Sequence, residues 1–300
     1  MRATVTGATG FIGRALCARL EGAVALARDP ERALRLPGVG SAERWDAESE
    51  LPRAAIEGAD VMFHLAGEPI AGGRLGAAHR RRVWASRVDG TRRVVDAIAR
   101  AEAPPKVLVA ASAVGFYGSR GDEVLAEDAP AGEGFVAELC QAWEAEARGA
   151  ERLGVRVVSL RSGIVLGRGG GALARMATPF RLGVGGRLGS GRQWVAWVHL
   201  DDEVGLALHA AATPSIRGPL NVVAPAPATN AELTRALAAA LRRPAILPVP
   251  AVALRLAVGH LADELLASQR VVPAAALRSG YRFRFGDLAA AVRDALGVPD

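Results

Sequence analysis

Cysteine is scarce in this chain of 300 residues, and long apolar runs are missing. Both cysteines, Cys17 and Cys140, fall in helical patterns, which argues against a disulfide framework and a cysteine-based metal site. The most apolar late stretch, 245–262, is interrupted by two prolines, an arginine and a histidine. We therefore interpret it as a core helix after a loop, and not as a membrane span. No leader-like segment precedes the first strand pattern, so we expect a cytoplasmic protein without a membrane partner.

Lysine is almost absent, because Lys106 is the only one and arginine carries the basic charge. The formal net charge of +6 raises the question of a nucleic-acid partner, but the arginines are spread along the chain. Their densest group, 79–82, lies in an amphipathic helical pattern, and we interpret it as a solvated helix face. No nucleic-acid-binding motif is evident, so we expect no such partner.

The N-terminal segment combines a strand, a glycine turn and the start of a helix. Residues 3–6 have the pattern of a buried strand, Gly7, Gly10 and Gly13 follow, and the apolar spacing over 11–20 predicts a helix. In such a turn the first glycine permits the bend, the second lets the backbone approach a pyrophosphate, and the third allows close helix packing. The segment therefore predicts a dinucleotide-binding site.

Strand-like and helical stretches alternate along the first half of the chain. Half of all residues are hydrophobic and 23% are charged, which is typical of a globular protein. Strand patterns lie at 23–27, 61–65, 107–111 and 155–160, and helical patterns at 77–100 and 135–153. This alternation predicts an α/β fold with a Rossmann-type doubly wound parallel sheet and a smaller C-terminal substrate lobe. We expect residues 1–166 in the Rossmann domain, to which part of 192–225 returns, and 167–191 and 226–300 in the lobe.

Several motifs resemble the extended short-chain dehydrogenase/reductase superfamily and, more narrowly, an epimerase-like branch sometimes labelled cell-division-inhibitor-like. The broad resemblance rests on VTGATGFIG (5–13), HLAG (64–67), ASAVGFYG (111–118), LRSGIVLG (160–167) and WVHLDD (197–202). The narrower one rests on LAGEPI (65–70), CQAWE (140–144), PFRLG (179–183), NVVAP (221–225) and GYRF (280–283). The resemblance to this NAD-dependent epimerase/dehydratase family implies an NAD(P)-binding domain with its own C-terminal region.

The end of the second strand bears on which nicotinamide cofactor is used. Residues 23–27 are followed by Arg28 and Asp29. A guanidinium group matches a 2′-phosphate, which favours NADP, whereas an inward-facing Asp29 is the alternative that favours NAD. The resemblance implies these cofactor-binding residues: Gly7, Thr9, Gly10, Phe11, Ile12, Gly13, Arg28, Asp46, Leu65, Ala66, Gly67 and Arg161.

The usual catalytic pair of the superfamily is missing from this sequence. Relatives commonly use a tyrosine with a lysine four residues later, and neither Tyr117 nor Tyr281 has that lysine. Counting back from Glu144, the tyrosine and lysine positions hold Val136 and Cys140. The sequence therefore lacks the proton donor that usually accompanies hydride transfer in this superfamily.

Four polar residues remain as catalytic candidates, each with a structural alternative. Ser112 follows the strand pattern at 107–111 and can hydrogen-bond a substrate oxygen, or only cap a turn. Tyr117 is a candidate acid, or a packing residue. Arg87 replaces the family's common asparagine and can stand in for the lysine or clamp an anionic group, or be a surface charge. Glu68 follows the strand end at 61–65 as an acid or base, or as a cap.

Two functions stay open at this point. The first is an atypical NADP-dependent oxidoreductase or epimerase acting on a small molecule, with sugar nucleotides as one candidate class. The second is a catalytically silent NADP(H) sensor or scaffold, connected with cell division by the family label. The expected assembly is a monomer or homodimer. His199 is interpreted as structural because it lacks a metal-ligand pattern, and 169–171 either binds a phosphate or forms a flexible loop.

Overall fold

Seven parallel strands form the central sheet of the computed structural model, which describes residues 1–298. Within residues 1–298 there are thirteen strands in all, in chain order β1 (Ala3–Thr6), β2 (Ala23–Ala27), β3 (Val39–Arg44), β4 (Val61–His64), β5 (Val107–Ala113), β6 (Val124–Leu125), β7 (Arg156–Ser162), β8 (Ile164–Leu166), β9 (Trp194–Val195), β10 (Trp197–His199), β11 (Gly218–Val222), β12 (Ala228–Thr229) and β13 (Arg270–Val271). The sheet order is β11-β7-β5-β4-β1-β2-β3, which confirms the predicted Rossmann-type α/β fold.

The helices lie on both faces of this sheet and around its carboxyl edge. They are α1 (Phe11–Cys17), α2 (Pro30–Leu34), α3 (Ala77–Trp84), α4 (Gly90–Arg100), α5 (Phe135–Arg148), α6 (Gly171–Arg181), α7 (Leu200–Ala212), α8 (Asn230–Leu241), α9 (Ala251–Val258), α10 (Leu261–Leu266), α11 (Ala274–Arg278) and α12 (Leu288–Leu296). The predicted helix 77–100 is α3 and α4 joined by one π-helical turn, Ala85–Asp89.

The strand side chains alternate between two apolar layers, as the period of two requires. Phe63 and Leu160 face α1 and α7 in one layer. Met62 and Leu108 face α4 and α5 in the other. The sheet is therefore covered on both sides, which explains why its inner strands are continuous apolar runs.

The edge strand β3 was not predicted, because its sequence lacks the apolar run of a buried strand. Only one side of it pairs, with β2, and most of its side chains are half-buried or exposed. The pattern at 61–65 therefore belongs to the fourth strand in the chain.

The smaller elements β8–β10, β9–β12 and β6–β13 pair around the carboxyl edge, while α6, α8 and α12 share an apolar core. The prediction of a core helix at 245–262 was wrong. That segment forms the short helices α9 and α10, and α9 buries Leu254 alone while leaving Val252 and Leu256 68% and 73% exposed. Across residues 1–298, none of the helices has both the length and the apolar character needed to span a membrane.

Candidate functional site

The glycine turn after β1 leaves no room for side chains. Gly7 has φ +69°, and a Cβ there would stand 2.9 Å from the Leu65 carbonyl group. A Cβ on Gly13 would stand 2.2 Å from the Gly7 oxygen. The Gly10 amide donates to that same oxygen at 2.9 Å and closes the turn. Each glycine is therefore required by backbone approach within this turn.

A cavity of about 680 Å³ opens beside this turn at the carboxyl edge of the sheet. Its walls come from the glycine turn, the end of β2, the loop after β4, and the helical stretch through α3 and the π turn. The cavity is lined by Gly7, Thr9, Gly10, Leu26, Ala27, Arg28, Arg32, Trp45, Asp46, Ala47, Glu48, Leu65, Ala66, Gly67, Glu68, Pro69, Arg81, Arg82, Ala85, Ser86, Asp89 and Arg93. Phe11, Ile12 and Gly13 follow in α1 behind this lining.

Two arginines line the cavity on this side: Arg28, which directly follows β2, and Arg32, which lies in α2. The Asp29 carboxylate has another role, because it caps α2 by accepting from the Arg32 amide at 3.1 Å. Asp29, the alternative that favours NAD, is thus held at a helix terminus, whereas Arg28, which favours NADP, lines the cavity.

Asp46 lines the same cavity with a fixed carboxylate. Its Oδ1 accepts from the Glu48 amide, the Ser49 amide and the Ser49 hydroxyl, each at 2.9 Å. These hydrogen bonds, the Ser49 amide first, lower the pKa of Asp46 to about 2. The side chain is therefore ionised and held in place at neutral pH.

The loop after β4 is held by a buried histidine that sequence reasoning did not single out. His64 Nδ1 lies 2.8 Å from the Thr6 hydroxyl, which accepts from the Leu65 and Ala66 amides. The hydroxyl proton therefore points to Nδ1, and Nε2 carries the ring proton toward Thr91 at 3.0 Å. Burial lowers the pKa of His64 to about 4, so the ring is neutral.

Glu68 and Arg87 meet at the far end of this loop. Glu68 lines the cavity, and its backbone oxygen accepts from Arg87 Nη1 at 2.7 Å. Arg87 is half-buried in the π turn. A Cβ on Gly67 would lie 3.2 Å from its guanidinium carbon, so Arg87 stands directly behind the cavity wall.

Ser112 and Tyr117 belong to one buried polar network centred on Arg161. The Ser112 hydroxyl donates to Glu144 Oε1 at 2.7 Å, and Arg161 holds both oxygens of Glu144 at 2.8 and 2.9 Å. Arg161 Nη1 also donates to the Tyr117 hydroxyl at 2.9 Å, which donates to Asn221 Oδ1 at 2.7 Å. All five residues are at most 5% exposed.

This network places Ser112, Tyr117 and Arg161 outside the cavity lining. Tyr117 is fully buried, burial raises the pKa of its hydroxyl, and both neighbours of that hydroxyl are protein groups. Arg161 stacks on the Phe116 ring at 3.5 Å. At the usual lysine position the Cys140 thiol is buried, which raises its pKa to about 12. The geometry offers no proton donor of the usual kind.

The structure also brings residues to the cavity that were not predicted there. Arg81, Arg82 and Arg93 line it from the helical stretch 77–100. The group at 79–82 was interpreted as a solvated helix face. His79 is buried and Arg80 is half-buried, whereas Arg81 and Arg82 are exposed and line the cavity. These arginines reach the cavity only because of how the helical stretch 77–100 is placed relative to β2. No local sequence pattern could therefore have predicted it.

The remaining candidates have structural surroundings. His199 Nδ1 accepts from the Asp201 amide at the start of α7, and its ring stacks on Phe285 at 3.8 Å. In the segment 169–171, Gly170 and Gly171 pack against the Phe11 ring, where a Cβ would come within 2.9 Å, whereas a Cβ on Gly169 would meet open space. In the part of the chain that the structure describes, no group of three or more His, Cys, Asp or Glu residues is arranged to hold a metal ion.

A doubly wound parallel sheet with this glycine turn at its carboxyl edge defines a Rossmann-type nucleotide-binding protein. The chain belongs to the NAD dependent epimerase/dehydratase family, whose model matches residues 3–223. A model described as a domain of unknown function, DUF1731, matches residues 249–295. These matches confirm the family resemblance found in the motifs.

Relatives cover almost the whole chain. The chain is similar to the human epimerase family protein SDR39U1 (isoform 2), crystallised with NADPH, at 38% identity, 99% coverage of both chains and a TM-score of 0.87. It is 41% identical to the epimerase family protein MT2273 of Mycobacterium tuberculosis, over 96% of this chain and 95% of that one. A structure described as the nucleoside-diphosphate sugar epimerase from Corynebacterium glutamicum is 34% identical, with a TM-score of 0.79, covering 99% of this chain and 58% of that chain.

Proposed function

We propose that this protein binds NADP(H) and acts as an epimerase/dehydratase-like oxidoreductase on a small molecule. The observation that carries the proposal is the cavity beside the glycine turn, which is lined by Arg28 after β2 and by Arg32 in α2, while Asp29 caps that helix. Two guanidinium groups supply the bidentate donors that suit a 2′-phosphate. The NADPH-bound human relative supports this choice of cofactor.

The reacting end of the cofactor belongs near Ala66, Gly67 and Ser112, where the ends of β4 and β5 meet. When bound, the nicotinamide supplies hydride transfer. Ser112 is the proposed hydrogen-bond acceptor for a substrate hydroxyl, because its own proton is donated to Glu144 Oε1. The Glu68 carboxylate is the proposed acid or base on the cavity side. A sugar nucleotide is the proposed substrate class, supported by the description of the Corynebacterium relative.

The experiment that tests cofactor choice is a fluorescence titration of cofactor-stripped protein with NADPH and NADH. Replacing Arg28 with alanine should weaken NADPH binding by roughly 10- to 100-fold, because a charged hydrogen bond contributes about 1.5–3 kcal/mol. NADH binding should change little. Arg35→Ala is the matched control, since Arg35 is also exposed and lies at the other end of α2 but does not line the cavity. Equal losses for both cofactors would contradict the proposed role.

A catalytically silent NADP(H) sensor or scaffold is the second candidate function. The observation in its favour is that Val136 and Cys140 occupy the usual tyrosine and lysine positions and that Tyr117 is fully buried. A panel of sugar nucleotides incubated with NADP-loaded protein separates the two functions. Product formation that falls in Ser112→Ala supports the enzyme, whereas tight NADPH binding without any product supports the sensor.

A further inference from the structure

Two buried hydrogen-bond donors near the reacting end lack acceptors among residues 1–298. They are Arg87 Nε and Trp143 Nε1, and Trp143 is only 5% exposed. The guanidinium carbon of Arg87 lies 5.0 Å from the centre of the Trp143 ring, so the two groups are neighbours. A buried donor without an acceptor costs about 1–3 kcal/mol, and two such donors side by side are rare in proteins.

The free edge of the Arg87 guanidinium is the one that suits a carboxylate. Nη1 donates to the Glu68 and Val83 backbone oxygens at 2.7 and 3.5 Å, which leaves Nε and Nη2. Arg161 uses this same edge within the protein, because its Nε and Nη2 hold the two oxygens of Glu144 at 2.8 and 2.9 Å. The edge therefore has the geometry of bidentate carboxylate binding.

Arg87 has no ion-pair partner of its own in the described part of the chain. Glu68 contacts it through a backbone oxygen, and the Glu68 carboxylate lies 3.9 Å from Arg82 instead. Burial lowers the pKa of Arg87 to about 10. A half-buried cation of this kind gains most from a ligand that brings a negative charge.

The position of Arg87 connects the cofactor cavity with the catalytic candidates. On one side its guanidinium lies against Gly67, which lines the cavity. On the other side lies the Cys140 thiol, on whose pKa both Arg87 and the Ser112 hydroxyl act. The π-helical turn that carries Arg87 is a feature commonly found at functional sites.

We propose that the substrate carries a carboxylate, which accepts hydrogen bonds from the Nε–Nη2 edge of Arg87 and from the indole N–H of Trp143. This inference rests on the proposed function, because it assigns a substrate class to the same site. It makes Arg87 a specificity residue for an anionic substrate, and separates its role from that of Arg28 and Arg32, which line the cavity after β2 and in α2.

The test follows the indole N–H signals of ¹⁵N-labelled, NADPH-loaded protein during titration with acetate. The chain has five tryptophans, and Trp143→Phe assigns the relevant signal. Acetate should shift the Trp143 signal downfield in a saturable way, while the neutral analogue acetamide should not. Arg87→Gln should abolish the shift. Arg87→Lys, which keeps the charge but lacks the fork, should weaken acetate binding at least threefold. Exposed Arg152→Gln is the matched control.

Parallel NADPH titrations of the same samples separate the possible failures. Wild-type protein that does not bind NADPH would overturn the proposed function and this inference together. Protein that binds NADPH but shows no saturable acetate shift would overturn the inference alone. A loss of NADPH affinity of tenfold or more in both Arg87 variants would also overturn it, because Arg87 would then serve the cofactor.

Discussion

Glu203 provides a pH-dependent contribution to stability that the structure defines closely. Its carboxyl group is 1% exposed inside α7, its Oε1 accepts from the Ser162 hydroxyl at 2.7 Å, and its Oε2 has no partner within residues 1–298. Burial raises the pKa of Glu203 from 4.5 to about 7. Since the folded state binds this proton more tightly than the unfolded state, the stabilisation is complete below pH 4.5 and is lost as the pH rises through 7.

The size of this effect follows from the pKa difference. At 1.36 kcal/mol per pKa unit, the wild-type protein should lose about 3 kcal/mol of unfolding free energy relative to Glu203→Gln between pH 4.5 and 8. The glutamine keeps an oxygen acceptor for Ser162 and cannot ionise. Urea unfolding of both proteins at several pH values measures the difference.

Glu151→Gln removes an exposed carboxylate and should leave the pH dependence of unfolding unchanged. If wild type and Glu203→Gln showed parallel stability curves over this range, Glu203 would not be a buried acid with a raised pKa. The packing of α7 against the end of β7 would then need revision.

Three further predictions concern the turn, the buried network and the loop after β4. Gly13→Ala places a Cβ 2.2 Å from the Gly7 oxygen and should weaken NADPH binding by tenfold or more; unchanged affinity in a fluorescence titration would contradict the role of the turn. Arg161→Met leaves the Glu144 carboxylate buried without its cation and should lower the free energy of unfolding by about 3–5 kcal/mol. The double variant with Glu144→Met should recover part of this loss, and additive losses in urea unfolding would refute the coupling. His64 is stabilising when neutral, so the folded protein should lose up to about 3 kcal/mol, relative to His64→Asn, as the pH falls from 6.5 through 4; equal acid sensitivity of the two proteins would argue against a buried neutral ring.

The sequence predicted the inner sheet well because those strands are buried on both faces. The apolar runs at 23–27 and 107–111 correspond to β2 and β5. The edge strand β3 was not predicted from the sequence. It pairs on one side only and is partly exposed, so it does not need an apolar run. For the segment 245–262 the error was the opposite one. Its apolar residues predicted a core helix, but the apolar side chains on α9 lie largely at the surface.

Some residues of the site could be predicted from the local sequence, whereas others depend on contacts between distant parts of the chain. The glycine turn and Arg28 follow directly on strands, so their place at the carboxyl edge was readable from the sequence. The Glu144–Arg161 pair joins residues of α5 and β7. Only the fold determines that Glu144 accepts the Ser112 hydroxyl proton and that Arg161 donates to the Tyr117 hydroxyl. Long-range pairing of polar side chains has no local signature, which is why candidate catalytic residues were harder to assign than cofactor-binding ones.

The most direct test of the account is the ratio of the dissociation constants for NADH and NADPH in the cofactor-stripped wild-type protein at one fixed salt concentration. The guanidinium groups of Arg28 and Arg32 at the cavity predict NADPH binding at least tenfold tighter than NADH binding, since one charged hydrogen bond contributes about 1.5–3 kcal/mol. A ratio near one, or tighter binding of NADH, would contradict the account and return Asp29 to the ribose.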